Sequence, residues 1–224
     1  MMISLKDVIK TYTSNKQLAV TAVNRLSLDV ARGEFLVIVG RSGSGKTTLL
    51  NLVAGLTKPT SGEVLLDSVN LWQLGDKEQS LLRNQKIGFI FQFPSVLPSL
   101  TVLENVVLPT SFGPESKRKD AYTRASHLLE TVGLTDKMNA YPRQLSAGQQ
   151  QRVVIARALM NQPEILLADE ATSNLDEETE KEIMSMFQNI HATIGVTILM
   201  VAHSTYLADY ATRSVRMANG ALLI

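Results

Sequence analysis

The chain has 224 residues, 45% hydrophobic and 19% charged, with 22 basic and 21 acidic side chains and a formal net charge of +1. That balance removes any electrostatic argument for a nucleic-acid partner, and the lack of cysteine excludes disulfides and thiolate metal sites. No apolar run approaches the ~20 residues of a membrane span, and the opening MMISLKDVIKTY has no signal-peptide core. The sequence therefore reads as a soluble, cytoplasmic α/β chain whose membrane contact, if any, comes through a protein partner.

In chain order, ISLKDVIKTY and AVNRLSLDV alternate like half-exposed strands. EFLVIVG, from Glu34 to Gly40, is a short apolar run ending in glycine, the pattern of a buried strand. GRSGSGKT, Gly40 to Thr47, then matches G-x-x-x-x-G-K-[ST] with a strand before it and the helical pattern TTLLNLVAGL after it. Glycines let backbone amides curl round phosphate oxygens. Lys46 would reach the β- and γ-phosphates and Thr47 would offer its hydroxyl to Mg²⁺. Gly40, Ser42, Gly43, Ser44, Gly45, Lys46, Thr47 and Thr48 are thus candidate nucleotide contacts. Lys58 to Gly62 reads as a turn, and KIGFIFQ, Lys86 to Gln92, as another buried strand.

From Phe93 to Leu159 the pattern changes. Pro94, Pro98, Pro109, Pro114 and Pro142 punctuate it, and Ala121, Ala125, Leu128, Leu129 and Val132 fall at helical spacing. Lys117, Arg118 and Lys119 form a solvated helix start or loop. This stretch is a helical insertion, 93–159, in a core made of 1–92 and 160–224. Within it Phe93, Pro94, Val96, Leu97 and Leu100 are apolar for a loop, which suits either a partner surface or a small core of its own. LSAGQQQR, Leu145 to Arg152, puts small residues and a hydroxyl at a helix start, an anion site without a lysine. Its glutamines read as an exposed first helical turn.

EILLADE, Glu164 to Glu170, is an apolar strand ending in two acids, where ligands sit in parallel sheets. Asp169 would hold Mg²⁺ and Glu170 would face an attacking water; the bland alternative is a helix cap. VTILMVAH, Val196 to His203, ends the same way. If these strands run parallel, Gln92 and His203 arrive at the rim of the phosphate loop. Gln92 could ligate Mg²⁺ or orient water, and His203 could donate to a γ-phosphate oxygen.

Together these motifs resemble the ATP-binding subunit of ABC transporters over essentially the whole chain. Gly40 to Thr47 is similar to its P-loop, Gln92 to its Q-loop, Leu145 to Gln149 to its LSGGQ signature, ILLADE to Walker B, Ser173 to Asp176 to its D-loop and His203 to its switch histidine. Tyr12 stands where the family has an aromatic that stacks on adenine, although a strand tyrosine also serves simply to pack. LPSLTVLENVVLP and DEATSNLD resemble the macrolide-exporter and lipoprotein-release group, whose members are compact. Two residues depart from the pattern: Ala147 replaces the signature's second glycine and Ala171 the group's usual proline.

The resemblance implies a P-loop NTPase core with a mainly parallel sheet, an N-terminal antiparallel β subdomain and an inserted helical subdomain. It implies a head-to-tail homodimer in which Ser146, Ala147, Gly148, Gln149 and Asp176 reach the partner's ATP. It further implies catalytic roles for Glu170, His203 and Gln92, a metal set of Thr47, Gln92 and Asp169, and a permease that holds the ATPase at the inner face of the membrane. Export or extraction of a substrate is the expected task, with force transmission to an envelope partner as the alternative.

Overall fold

The computed structural model describes residues 1–13, 19–113, 115 and 118–223. Pro114 and Lys117 lie outside the described residues; Arg118 and Lys119 form a turn. A four-stranded antiparallel sheet, in the order β2-β1-β4-β5, joins β1 (Ile3–Thr13), β2 (Ala19–Val30), β4 (Ser61–Leu66) and β5 (Val69–Asn70). A six-stranded sheet has the order β10-β9-β3-β8-β7-β6, from β3 (Phe35–Val39), β6 (Ile87–Ile90), β7 (Ile165–Asp169), β8 (Thr197–Ala202), β9 (Arg213–Ala218) and β10 (Ala221–Leu223). Its pairings are parallel except for β10 on β9.

Every residue of β3, β7 and β8 is buried, as a strand covered on both faces requires. Alternate residues enter two different cores. Phe35, Val37, Val39, Leu166, Ala168, Ile198 and Met200 join the core of α3 (Val102–Val107), α4 (Ala121–Thr131), α5 (Ala147–Leu159) and α6 (Glu177–Ile194). Leu36, Ile38, Ile165, Leu167, Leu199 and Val201 join the core of α1 (Lys46–Val53) and the antiparallel sheet. The fold expected from the sequence is therefore present: a mainly parallel sheet, an N-terminal antiparallel sheet, and helices α3, α4 and α5 in the stretch between β6 and β7.

Element ends differ from the sequence reading by one to three residues. Lys86 closes α2 (Asp76–Lys86), so β6 starts at Ile87 and has ended before Phe91 and Gln92. The turn after α1 stops at Thr60, because Ser61 already pairs with Ile9 of β1 and β4 begins there. One expectation fails: the α5 glutamines are not an open first turn, with Gln149 and Gln150 half-buried and Gln151 2% exposed, since α3, α4 and α6 all pack against α5. Ala121, Ala125, Leu129 and Val132 are buried as their spacing predicts, with Leu128 partly buried against the same core.

The strands are in register at their C-terminal ends, with Val39 beside Ala202, Asp169 beside Val201 and Ile90 beside Ala168. Gly40, Gln92, Glu170 and His203 therefore emerge along one edge, the ligand-binding edge of an open parallel sheet. The opposite edge is closed by ions. Arg32 pairs with Asp67 at 3.0 Å and with Glu164, while Lys86 lies 3.1 Å from Asp67 and 3.2 Å from Glu164. Hydrogen bonds from Lys86 and Arg32 hold the Asp67 and Glu164 carboxyls, respectively, below the usual carboxylate range.

Candidate functional site

The site begins where β3 ends. Gly40 N donates to Ala202 O at 3.2 Å, which ties the start of the GRSGSGKT loop to the end of β8. The loop runs into α1 through Gly45, whose left-handed φ of 102° caps the helix with no side-chain acceptor. The first-turn N–H groups of α1 thus have no side-chain cap, and the positive end of the helix dipole lies behind them. Ser44 Oγ is buried and has no hydrogen-bond partner in the protein. An orphaned hydroxyl and uncapped amides fit a phosphate group.

Gly45 is also required by a close approach. Lys10 pairs with Val23 and Thr11 with Thr21, so Ala22 is the extra residue of a β-bulge in β2. A Cβ on Gly45 would lie 2.1 Å from the Ala22 carbonyl oxygen. Ala22 consequently lines the phosphate-loop cavity, of about 430 Å³, together with Tyr12, Ser42, Gly43, Gly45, Lys46, Thr47, Thr48, Gln92 and Glu170. Nothing in the residue pattern around Ala22 signals this, because the bulge depends on tertiary pairing.

Lys46 is 4% exposed. Its ammonium donates to Gly40 O at 2.8 Å and Arg41 O at 3.2 Å and lies 3.3 Å from Glu170 Oε1. Thr47 Oγ1 donates to Asp169 Oδ1 at 3.1 Å. Burial raises the Asp169 carboxyl above its ordinary pKa against the Thr47 hydrogen bond; Glu170 adds to the rise and Lys46 opposes it. Glu170 leaves β7 with φ 44°, a left-handed conformation that costs about 1–3 kcal/mol at a non-glycine residue. That kink separates its direction from that of Asp169. Gln92 Nε2 donates weakly to Glu170 Oε2 at 3.4 Å and reaches Ser173 Oγ at 3.5 Å, while Asn174 Nδ2 holds the Gln92 carbonyl at 3.2 Å.

His203 is exposed and lines a second cavity, of about 630 Å³, with Gly40, Arg41, Ser42, Gly43, Ser44 and Arg216. Ser42 and Gly43 line both cavities, so the loop separates the two. The LSAGQ segment is elsewhere. Ser146, Gly148 and Gln149 line a third cavity, of about 330 Å³, with Gly133, Arg152 and Thr179, and none of its lining residues belongs to the phosphate loop.

Ser146 starts α5 with a reciprocal cap: its Oγ accepts from Gln149 N at 3.2 Å and its N donates to Gln149 Oε1 at 3.0 Å. Asp176 caps α6 through Thr179 N at 3.0 Å. A Cβ on Gly148 would lie 2.5 Å from Thr179 Cγ2. Ala147, in contrast, is exposed, helical and free of positive φ. Tyr12, the loop, Gln92, Asp169, Glu170 and His203 are thus gathered at one edge, and Ser146 to Gln149 and Asp176 are not.

One link was not legible in the sequence. Arg157 of α5 donates to Ser95 O and to Ser95 Oγ, each at 2.7 Å, and so grips the segment after Gln92. Burial lowers the pKa of that guanidinium. In the gripped segment Phe93 is 67% and Leu97 42% exposed, whereas Val96 packs on the core.

The profile described as ABC transporter matches residues 23–173, more than half of the chain. The chain belongs to the ABC transporter family. This ABC protein is 42% identical over 98% of its length to the lipoprotein-releasing system ATP-binding protein LolD 1 of Chlorobium chlorochromatii, 89% of which is covered. It is 42% identical over 99% of its length to the macrolide export ATP-binding/permease protein MacB of Syntrophobacter fumaroxidans, of which it spans 31%. Among solved structures it is similar, at 39% identity and a TM-score of 0.88, to the dimeric ATP-binding cassette MJ0796 in a post-hydrolysis state bound to ADP and Pi. That match covers 100% of this chain and 97% of the other. The ABC protein is accordingly an ATP-binding subunit and an ATPase. Among the described residues, none of its helices is long and apolar enough to cross a membrane.

Proposed function

We propose that two copies of this ATPase close head to tail on two ATP molecules and drive a membrane permease in export or extraction of a substrate. The reading is carried by one observation. The phosphate loop has its lysine and carboxylates assembled around it, while the second anion-type helix start, at Ser146, faces a cavity of its own with no phosphate-loop residue. A loop without a lysine makes sense if its phosphate belongs to the partner copy's ATP.

In this reading Gly40 to Thr48 and the α1 N-terminus hold the phosphates, Lys46 bridges β and γ, and Tyr12 stacks on adenine. His203 donates to the γ-phosphate from the second cavity. Ser146, the amides at Ala147, Gly148 and Gln149, and Asp176 complete the site from across the dimer. The oxygens of Thr47, Asp169 and Gln92 form a hard donor set that suits Mg²⁺, and Thr47 and Asp169 already touch. Bound there, the ion would supply charge neutralisation between the β- and γ-phosphates. Glu170, turned away from Asp169 by its kink, orients the attacking water and accepts its proton.

The dimer contact then depends on ATP, because hydrolysis removes the γ-phosphate that both copies hold. Gln92 and the Arg157–Ser95 grip pass the nucleotide state to the apolar lip at Phe93 and Leu97, where the permease docks. The peripheral membrane location follows from that docking. Tagged Glu170→Gln protein purified from solubilised membranes should bring with it a permease bearing a large extracytoplasmic domain. Recovery of soluble partners alone would overturn the membrane assignment.

The departure at Ala147 has a defined expectation. Its helical backbone needs no glycine, so Ala147→Gly should keep or raise ATP turnover, with stability lowered by at most about 1 kcal/mol. A severe loss of turnover in a phosphate-release assay would overturn the assignment of how this loop meets the partner's phosphate.

A further inference from the structure

We propose that Lys10 is a positioning residue for the base of ATP, fixing the Tyr12 ring from behind so that its cavity side is a preset stacking platform. The proposal rests on the reading that Tyr12 stacks on adenine. Lys10 Nζ lies 4.9 Å from the centroid of the Tyr12 ring, within the range in which a cation is held by an aromatic face. Tyr12 lines the phosphate-loop cavity and Lys10 does not, and the positioning role puts the ammonium on the ring face turned away from the nucleotide.

The ammonium is itself anchored. It donates to the Lys58 carbonyl at 2.8 Å, in the turn that follows α1. The same strand is stapled there twice more, by Thr60 N donating to Ile9 O at 2.8 Å and Thr11 N donating to Thr60 Oγ1 at 3.0 Å. Among the described residues, no carboxylate forms an ion pair with Lys10; its ammonium meets the Lys58 carbonyl and the Tyr12 ring. Tyr12, by contrast, is 44% exposed. An exposed ring without a backing contact would have to be ordered by the nucleotide, at an entropic cost taken from affinity. Lys10 removes part of that cost in advance. It also connects the base platform to the turn after α1, the helix whose first residues are Lys46 and Thr47.

A lysine near an ATP site could instead act as a general attractor of phosphate, and the two roles give different results. Lys10→Met keeps the aliphatic stem and removes the charge. Calorimetric titration of the full chain with ATP and with tripolyphosphate separates base from phosphate, and tripolyphosphate binding also reports an intact loop. The expected result is ATP binding weaker by about two- to fivefold, tripolyphosphate binding unchanged, restoration by Lys10→Arg, and no further loss when Lys10→Met is added to Tyr12→Ala. Equal weakening of ATP and tripolyphosphate, no weakening of either, or a full loss persisting in the Tyr12→Ala background would each overturn the positioning role. If Tyr12→Ala alone bound ATP like the wild type, the stacking reading itself would fall, and the role of Lys10 with it.

Discussion

Glu170→Gln should lock the ATPase in an ATP-loaded dimer, with turnover reduced by about 10²- to 10⁴-fold, the usual contribution of a positioned general base. Glutamine has the shape of glutamate and can take the same left-handed backbone at φ 44°. The carboxylate's two contacts are to Lys46 Nζ at 3.3 Å and Gln92 Nε2 at 3.4 Å. An amide can keep a hydrogen bond to Gln92 but cannot accept a proton from water or balance the lysine charge. ATP binding should therefore survive while hydrolysis stops, and the uncleaved γ-phosphate keeps the two copies together. Gel filtration with ATP should show the doubled mass, and the shift should disappear when ADP replaces ATP. A Glu170→Gln protein that hydrolyses ATP at the wild-type rate would remove Glu170 from the chemistry.

Lys46→Ala should abolish turnover by the opposite route, through loss of the nucleotide. The lysine is almost wholly buried, and its ammonium is held by the Gly40 and Arg41 carbonyls as well as by Glu170. Those carbonyls hold a buried cation at the wall of the phosphate-loop cavity. Removing one charge-stabilising donor of this kind costs about 10²- to 10³-fold in rate. Here Glu170 and the nearby Asp169 are also left without the cation, which adds repulsion against ATP. Binding should be too weak to detect by fluorescent nucleotide titration, and no ATP-dependent dimer should form, even when Glu170→Gln is added. Lys46→Met keeps the buried stem, so a thermal melt of both variants separates lost packing from lost charge. Normal ATP binding by Lys46→Met would contradict the phosphate role.

The two variants also mark what a sequence carries openly. The all-buried strands β3, β7 and β8 are legible because a parallel strand covered on both faces must be apolar at every position. The loop from Gly40 to Thr47 is legible because phosphate chemistry dictates glycine, lysine and hydroxyl at fixed spacing. What is hidden depends on partners distant in the chain. Ala22 enters the cavity only because the β1–β2 register slips at Lys10 and Thr11. Arg157 matters through Ser95, 62 residues away. Gln151 looks solvated among neighbouring glutamines, yet the packing of α5 buries it. Helix spacing shows which face is apolar, but not how wide the burial becomes once α3, α4 and α6 all pack on it.

The common register of the strand ends has a consequence for how this protein tolerates change. Gly40, Gln92, Glu170 and His203 each come from a different strand and meet at one rim because the strands are measured to the same line. Exchanging one apolar residue for another inside β7 leaves that line intact. Adding or deleting a single residue there sends every side chain to the opposite core and carries Asp169 and Glu170 off the rim by about 3.3 Å. The central strands therefore act as gauges of length: variation within them is open to composition and closed to insertion or deletion, and added sequence is confined to the loops beyond their ends.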